Sequence, residues 1–186
     1  MKIKAWNIFS KNKEFVTPIY NIFRNKARSP ASGSQGDFFV IDAPDWINVI
    51  AMTANDEIIL VEQYRHGIDA TTLEIPGGVI DKTDDGPETA AKRELSEETG
   101  FTSQNWTYLG KVSANPAIMN NWCHLLMAED CRLTDQLNPD EHEEISVQLI
   151  PRKTFLQKIN DGDIHHALVV AAVTKLGIMK PKWLKT

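Results

Sequence analysis

No stretch of this 186-residue chain approaches the roughly 18 consecutive apolar residues that a membrane-crossing helix needs. The opening segment, Met1-Lys2-Ile3-Lys4-Ala5-Trp6, lacks the apolar core of a secretory signal. No signal peptide and no membrane span are expected, and the cytoplasm is the expected compartment. Cysteine is scarce, with only Cys123 and Cys131. These read as ordinary buried thiols of a reducing compartment, a disulfide between them being the alternative. An excess of basic charge is also missing: 20 Lys+Arg stand against 25 Asp+Glu, for a net charge of -5. A nucleic acid polymer, which asks for a basic face, is not the expected partner. A small anionic substrate fits if metal ions supply local positive charge. Internal repeats and low-complexity tracts are absent. What is present is 42% hydrophobic and 24% charged residues. That suits one compact domain with an appendage, or two small ones.

Punctuation residues divide the chain. The run from Arg28 to Gly36 is a loop by composition. Before it, residues 2–10 and 14–23 carry β-branched and aromatic residues at strand spacing, and 37–41 after it reads as a strand. Residues 46–53 and 57–64 read as a hairpin around Ala54-Asn55-Asp56, with Ile58-Ile59-Leu60-Val61 buried on both faces. An extended piece over 72–75 leads into Pro76-Gly77-Gly78. A helix is expected from Pro87 to Thr99, then strands near 106–112, 122–128 and 145–150. Helices near 153–160 and 165–178 follow, with Pro181 blocking extension. The order implies an α+β or mixed α/β sandwich. Residues 1–44 would make a small N-terminal antiparallel β region, and 45–186 the main domain. So small a sheet is short of partners and would pack on a second subunit.

The central helix carries the chemistry. Asp85-Gly86-Pro87-Glu88 reads as a capping box with Asp85 as N-cap, Pro87 sits in the first turn, and Gly100 is placed to end the helix. At about 100° per residue, Glu94, Glu97 and Glu98 share one arc of about 100°. Ala91 and Leu95 form the adjoining apolar stripe. Each like-charged pair on a solvated face costs only about 0.2–0.5 kcal/mol. The three carboxylates alone therefore support two readings, a solvated acidic face or a site for a hard cation that prefers oxygen ligands.

The flanking residues decide between them. Gly77-Gly78, then Arg93-Glu94-Leu95-Ser96-Glu97-Glu98-Thr99-Gly100-Phe101, resembles the box of the Nudix hydrolase family. The C-terminal half matches apart from Phe101, an aromatic at the final apolar position. The N-terminal half departs: Gly78 lies one residue further from Arg93 than the pattern allows, and the isolated box glutamate falls at Asp85. Glu62-Gln63-Tyr64-Arg65 and Leu73-Glu74-Ile75-Pro76-Gly77-Gly78 resemble the strand and loop before the box in the ADP-ribose pyrophosphatase branch. Pro116, sixteen residues after Gly100, is a partial further mark, in Asn-Pro-Ala rather than Ser-Pro-Gly.

The resemblance implies a Nudix-like α/β/α sandwich with a mixed sheet. It implies Mg²⁺ or Mn²⁺ held by Glu94 and Glu98, with Glu97 and the Gly77 carbonyl as further ligands. Arg93 would orient the glutamates; an i,i+4 surface pair with Glu97 is the alternative. A diphosphate repels hydroxide, so metal must neutralise it and a general base must face the attacking water. The resemblance puts that base at Glu141, with Glu143 next. Arg65 and Glu74 are the substrate-binding candidates, Arg65 for a phosphate and Glu74 for Arg65 or a ribose. ADP-ribose is the implied substrate; GDP-mannose, NADH or another nucleotide sugar or dinucleotide is the alternative. A non-catalytic nucleotide-binding module usually loses box glutamates, which this chain keeps. A homodimer completed by the N-terminal strands is also implied. Trp6, Phe9 and Phe23 read as core residues, stacking on the adenine being the alternative that the resemblance implies, and His165 and His166 read as capping or surface residues at a helix start.

Overall fold

A computed structural model of the protein describes residues 2–138 and 144–185. Glu141 and Glu143, and His142 between them, lie outside the described residues. Met1–Pro44 and Ser113–Trp122 gather into one compact unit, and Asp45–Val112 and Cys123–Thr186 into a second.

The first unit holds a three-stranded antiparallel sheet, β1 (Asn7–Val16), β2 (Asn21–Arg28) and β3 (Gln35–Asp42), in that order. The first turn falls at residues 17–20, not where the spacing of 2–10 and 14–23 puts it. The Thr17 hydroxyl accepts the Tyr20 N–H at 2.9 Å. Pro18 supplies the fixed φ that favours the turn's second position. Lys11, Asn12 and Lys13 stay extended, paired with Asn25, Arg24 and Phe23. Residues 113–122 run beside β3: Ile41 N–H donates to Ile118 O at 2.7 Å, and Asn120 N–H to Ile41 O at 3.2 Å. The aromatic residues of this unit are not core, contrary to the sequence expectation. Trp6 and Phe9 are exposed. Trp6 packs edge-on against Phe38, and Phe23 lies beneath the Lys11 ammonium. Three strands cannot cover both of their own faces.

The second unit is a mixed α/β sandwich, as the sequence implies. Its sheet runs β11 (Ile145–Pro151), β5 (Glu57–Arg65), β4 (Trp46–Thr53), β10 (Cys123–Leu133), β8 (Phe101–Thr102). Three strands pair off this path: β6 (Ala70–Glu74) with β5, β7 (Gly77–Val79) with β4, and β9 (Asn105–Val112) with β10. The β4–β10 pair is parallel. Period-two alternation assigns each strand's residues to two cores. Ile50, Ile58, Leu60, Leu125 and Met127 face α2 (Arg152–Asp161) and α3 (Ala167–Met179), meeting Phe155, Val169 and Leu176. Val49, Ala51, Ile59, Leu126 and Ala128 face α1 (Pro87–Thr99), meeting Ala90, Ala91 and Leu95. The apolar run 58–61 is fully buried on both faces. Cys123 and Cys131 are free and buried; burial pushes their thiols up to about 12 and about 11.

The helix α1 starts differently from expectation. Its N-cap is Gly86, at φ 146°, with no side-chain cap bond, and Asp85 is exposed. Pro87 disfavours a helical conformation in the residue before it, and Gly86 takes a positive φ that an aspartate would resist. Losing a side-chain cap costs about 1 kcal/mol. Burying Leu95 alone contributes roughly 1.5–3 kcal/mol, so packing on the sheet outweighs the missing cap. The helix ends as predicted, at Gly100 with φ 71°.

Candidate active site

Packing the Ala90, Ala91 and Leu95 face of α1 on the sheet sets its acidic arc against β7. Here the two glycines earn their place by being small. A Cβ on Gly77 would overlap the Ile47 carbonyl oxygen, and one on Gly78 would overlap the Glu94 carboxylate. Glu98 is buried at 2% exposure. Its Oε2 accepts the Gly77 N–H at 2.9 Å. Glu94 and Glu98 thus both lie against the glycine strand, while Glu97 is the more exposed of the three.

Arg93 spans the arc. Nη1 donates to Glu94 Oε1 at 3.0 Å and to Glu97 Oε2 at 2.9 Å. Nη2 donates to Val79 O and to Asp84 Oδ2, each at 3.0 Å, and Nε to Asp84 Oδ1 at 3.3 Å. Asp84 is a residue that sequence reasoning missed. Its side chain is 5% exposed, and its hydrogen bonds from Arg93 hold its carboxyl below the usual range against the opposing effect of burial. The same pair raises the Arg93 guanidinium further above its ordinary value. Asp84 sits in the loop before the helix, off any helical period. Only the rule that an arginine fork recruits carboxylates could have suggested it.

Across the cavity, Arg65 on β5 grips Glu74 on β6 with two bonds, Nε to Oε1 at 2.9 Å and Nη2 to Oε2 at 2.8 Å. The Thr72 hydroxyl also donates to Glu74 Oε1. Burial pushes the Glu74 carboxyl up, but the Arg65 and Thr72 bonds and the Arg65 charge outweigh it, and the group lies below its ordinary value. His166 is the N-cap residue of α3 but makes no side-chain cap bond; half-buried, it is brought by the fold to the cavity, with Nε2 3.8 Å from Glu74 Oε2. His165 is exposed, as expected. The cavity, of about 450 Å³, is lined by Trp46, Asn48, Arg65, Glu74, Gly77, Gly78, Arg93, Glu94 and His166 among others. Every one of the sequence-derived candidates within the described residues, except Glu97 and Glu98, touches it. Glu98 lies one bond behind Gly77, and Glu97 one bond behind Arg93.

The donors suit Mg²⁺ or Mn²⁺. They are hard carboxylate oxygens, and the missing Cβ of Gly78 lets the Glu94 carboxylate pack directly against the glycine strand. Among the described residues no three His, Cys, Asp or Glu side chains close into a cage. Mg²⁺ commonly takes only one or two carboxylates, with water and phosphate completing its shell.

The chain is also similar to known proteins. The family model described as NUDIX domain matches residues 45–172. An ADP-ribose pyrophosphatase of Bacillus subtilis (strain 168) is 25% identical over 177 residues, 95% of each chain. A methanol dehydrogenase activator of Bacillus methanolicus is 30% identical over 142 residues, 76% of each chain. A solved ADP compounds hydrolase has a TM-score of 0.84 at 21% identity, covering 100% of this chain and 97% of its own. An arginine-clamped acidic helix on a glycine strand, in a chain so matched over most of its length, belongs to the Nudix family: the protein is a Nudix pyrophosphohydrolase.

Proposed function

We propose that the chain hydrolyses the diphosphate bond of a nucleoside-diphosphate derivative, with ADP-ribose giving AMP and ribose 5-phosphate as the leading reaction. The observation that carries this is the cavity itself: Arg93-clamped glutamates form one wall and the Arg65–Glu74 pair another. Relatives named for ADP-ribose and ADP-sugar hydrolysis favour an adenosine diphosphate over a guanosine one.

Glu94 and Glu98 would hold Mg²⁺ or Mn²⁺, with Glu97 and the Gly77 carbonyl as further donors. The metal, when bound, neutralises the diphosphate and makes bound water more acidic. Arg93 offsets the mutual repulsion of Glu94, Glu97 and Asp84 and holds their carboxylates in place. Arg65 meets a substrate phosphate, and Glu74 fixes Arg65. Glu141 takes the proton of the attacking water, with Glu143 as the second candidate; both lie outside the described residues.

The test is a mass-spectrometric product screen with Mg²⁺ over nucleotide sugars and dinucleotides. ADP-ribose should give AMP and ribose 5-phosphate, and chelation should stop the reaction. GMP from GDP-mannose as the dominant product would reassign the substrate. Retention of near wild-type turnover by Glu98→Gln would sink the metal assignment. Glu141→Gln should lower the rate steeply with little change in metal affinity; the same result for Glu143→Gln alone would move the base.

A further inference from the structure

One polar group of the cavity has no part in the reaction outlined above. His166 immediately precedes α3, yet its side chain makes no capping bond there. Its Nδ1 is buried with no hydrogen-bond partner, and its Nε2 points toward Glu74 Oε2 at 3.8 Å. That contact decides the tautomer. A proton on Nε2 faces a carboxylate, whereas a proton on Nδ1 would be a buried donor without an acceptor. Burial, above all, also holds the ring below the usual histidine range. In either protonation state the ring therefore directs its Nε2–H at Glu74.

Glu74 has donors on both oxygens already: Arg65 Nε and Thr72 on Oε1, Arg65 Nη2 on Oε2. Oε2 has room for one more. The distance of 3.8 Å is too long for a hydrogen bond, and a ring movement of under about 1 Å would close it. A ligand in the cavity would press on the elements that hold this pair, since Arg65, Glu74 and His166 all line it.

We propose that His166 is a positioning residue for substrate binding: its Nε2–H closes onto Glu74 Oε2 when the cavity fills, and fixes the Arg65–Glu74 pair in the orientation that meets the diphosphate. The inference rests on the diphosphate reading of the cavity but not on ADP-ribose as the substrate. It predicts an effect on binding that depends on the N–H and not on the ring's bulk.

The experiment uses the full chain with His166→Phe, which keeps a ring and loses the donor, and His166→Gln, which keeps a donor at similar reach. KM and kcat for ADP-ribose with Mg²⁺ are measured beside the Kd of ADP by calorimetry. His166→Phe should raise KM and the ADP Kd by about fivefold while lowering kcat much less, the worth of about one hydrogen bond. His166→Gln should recover most of that loss. If Phe binds as wild type does, or if Gln is as impaired as Phe, the inference is overturned. Should the Phe variant not fold, His166→Leu replaces it against the same Gln control. A wild type that binds ADP but leaves ADP-ribose intact refutes the substrate, and the ADP Kd values then decide the role of His166 alone. A wild type that does neither overturns both readings.

Discussion

Arg93 has five N–H donors, and each one is used: one to Val79 O, two to Asp84, one each to Glu94 and Glu97. A lysine has three donors on a single nitrogen and cannot span that arc. Arg93→Lys is therefore expected to lower kcat by about 10–100-fold, the usual effect of loosening groups that orient metal ligands. Unchanged far-UV circular dichroism would show that the fold survives; unchanged kcat would refute the orienting role. Glu74 offers a second test at this scale. Its folded pKa lies below the unfolded value of about 4.3, so the unfolded chain takes up the proton first. The contribution is complete above about pH 4.3 and is lost as pH falls through the folded value. Glu74→Gln should cost about 1–2 kcal/mol at pH 7, at the low end because Arg65 is partly exposed. It should also flatten the loss of stability on acidification, read from urea midpoints in a pH series. The glutamates and Arg93 were legible in the sequence because they share one helix. Asp84 and His166 were not, because each meets its partner only through the tertiary fold.

Among the elements, the helix α1 shows how local signals can name a boundary and misname its residues. Pro87 and Gly100 mark both ends correctly, yet the capping role read for Asp85 does not exist. The capping-box spacing points to Asp85, whereas the structure uses the neighbouring Asp84, for Arg93 rather than for the helix N–H groups. Asp84→Ala should destabilise the chain by about 1–3 kcal/mol by leaving Arg93 short of acceptors. Asp85→Ala should change stability by less than about 0.5 kcal/mol. Equal effects in chemical denaturation would contradict this assignment. The strand boundaries follow the same logic. The all-apolar run 58–61 and the turn at 54–56 announced β4 and β5. In β1, the polar run Lys11-Asn12-Lys13-Glu14 interrupts the apolar spacing and suggests a break there, yet the strand continues through it to Val16.

For the whole molecule, the first unit exposes Ile8, Phe9, Phe15, Val16 and Phe39 on a three-stranded sheet. Exposed apolar area of this kind marks an association surface, and a second copy of the chain is the partner expected for it. Sedimentation should show a dimer, and Phe15→Ser with Phe39→Ser should shift it to monomer. A wild-type monomer would remove the expectation. The chain also enters the second unit at Asp45, leaves it after Val112, and returns at Cys123. Residues 113–122 depend on β3 for the bonds from Ile41 and to it. A single genetic crossover at codon 44 would therefore graft a foreign β3 onto a native 113–122 segment. Exchange of the first unit between homologous genes needs three matched breakpoints, so its sequence is expected to be inherited together with that of the catalytic unit rather than shuffled against it.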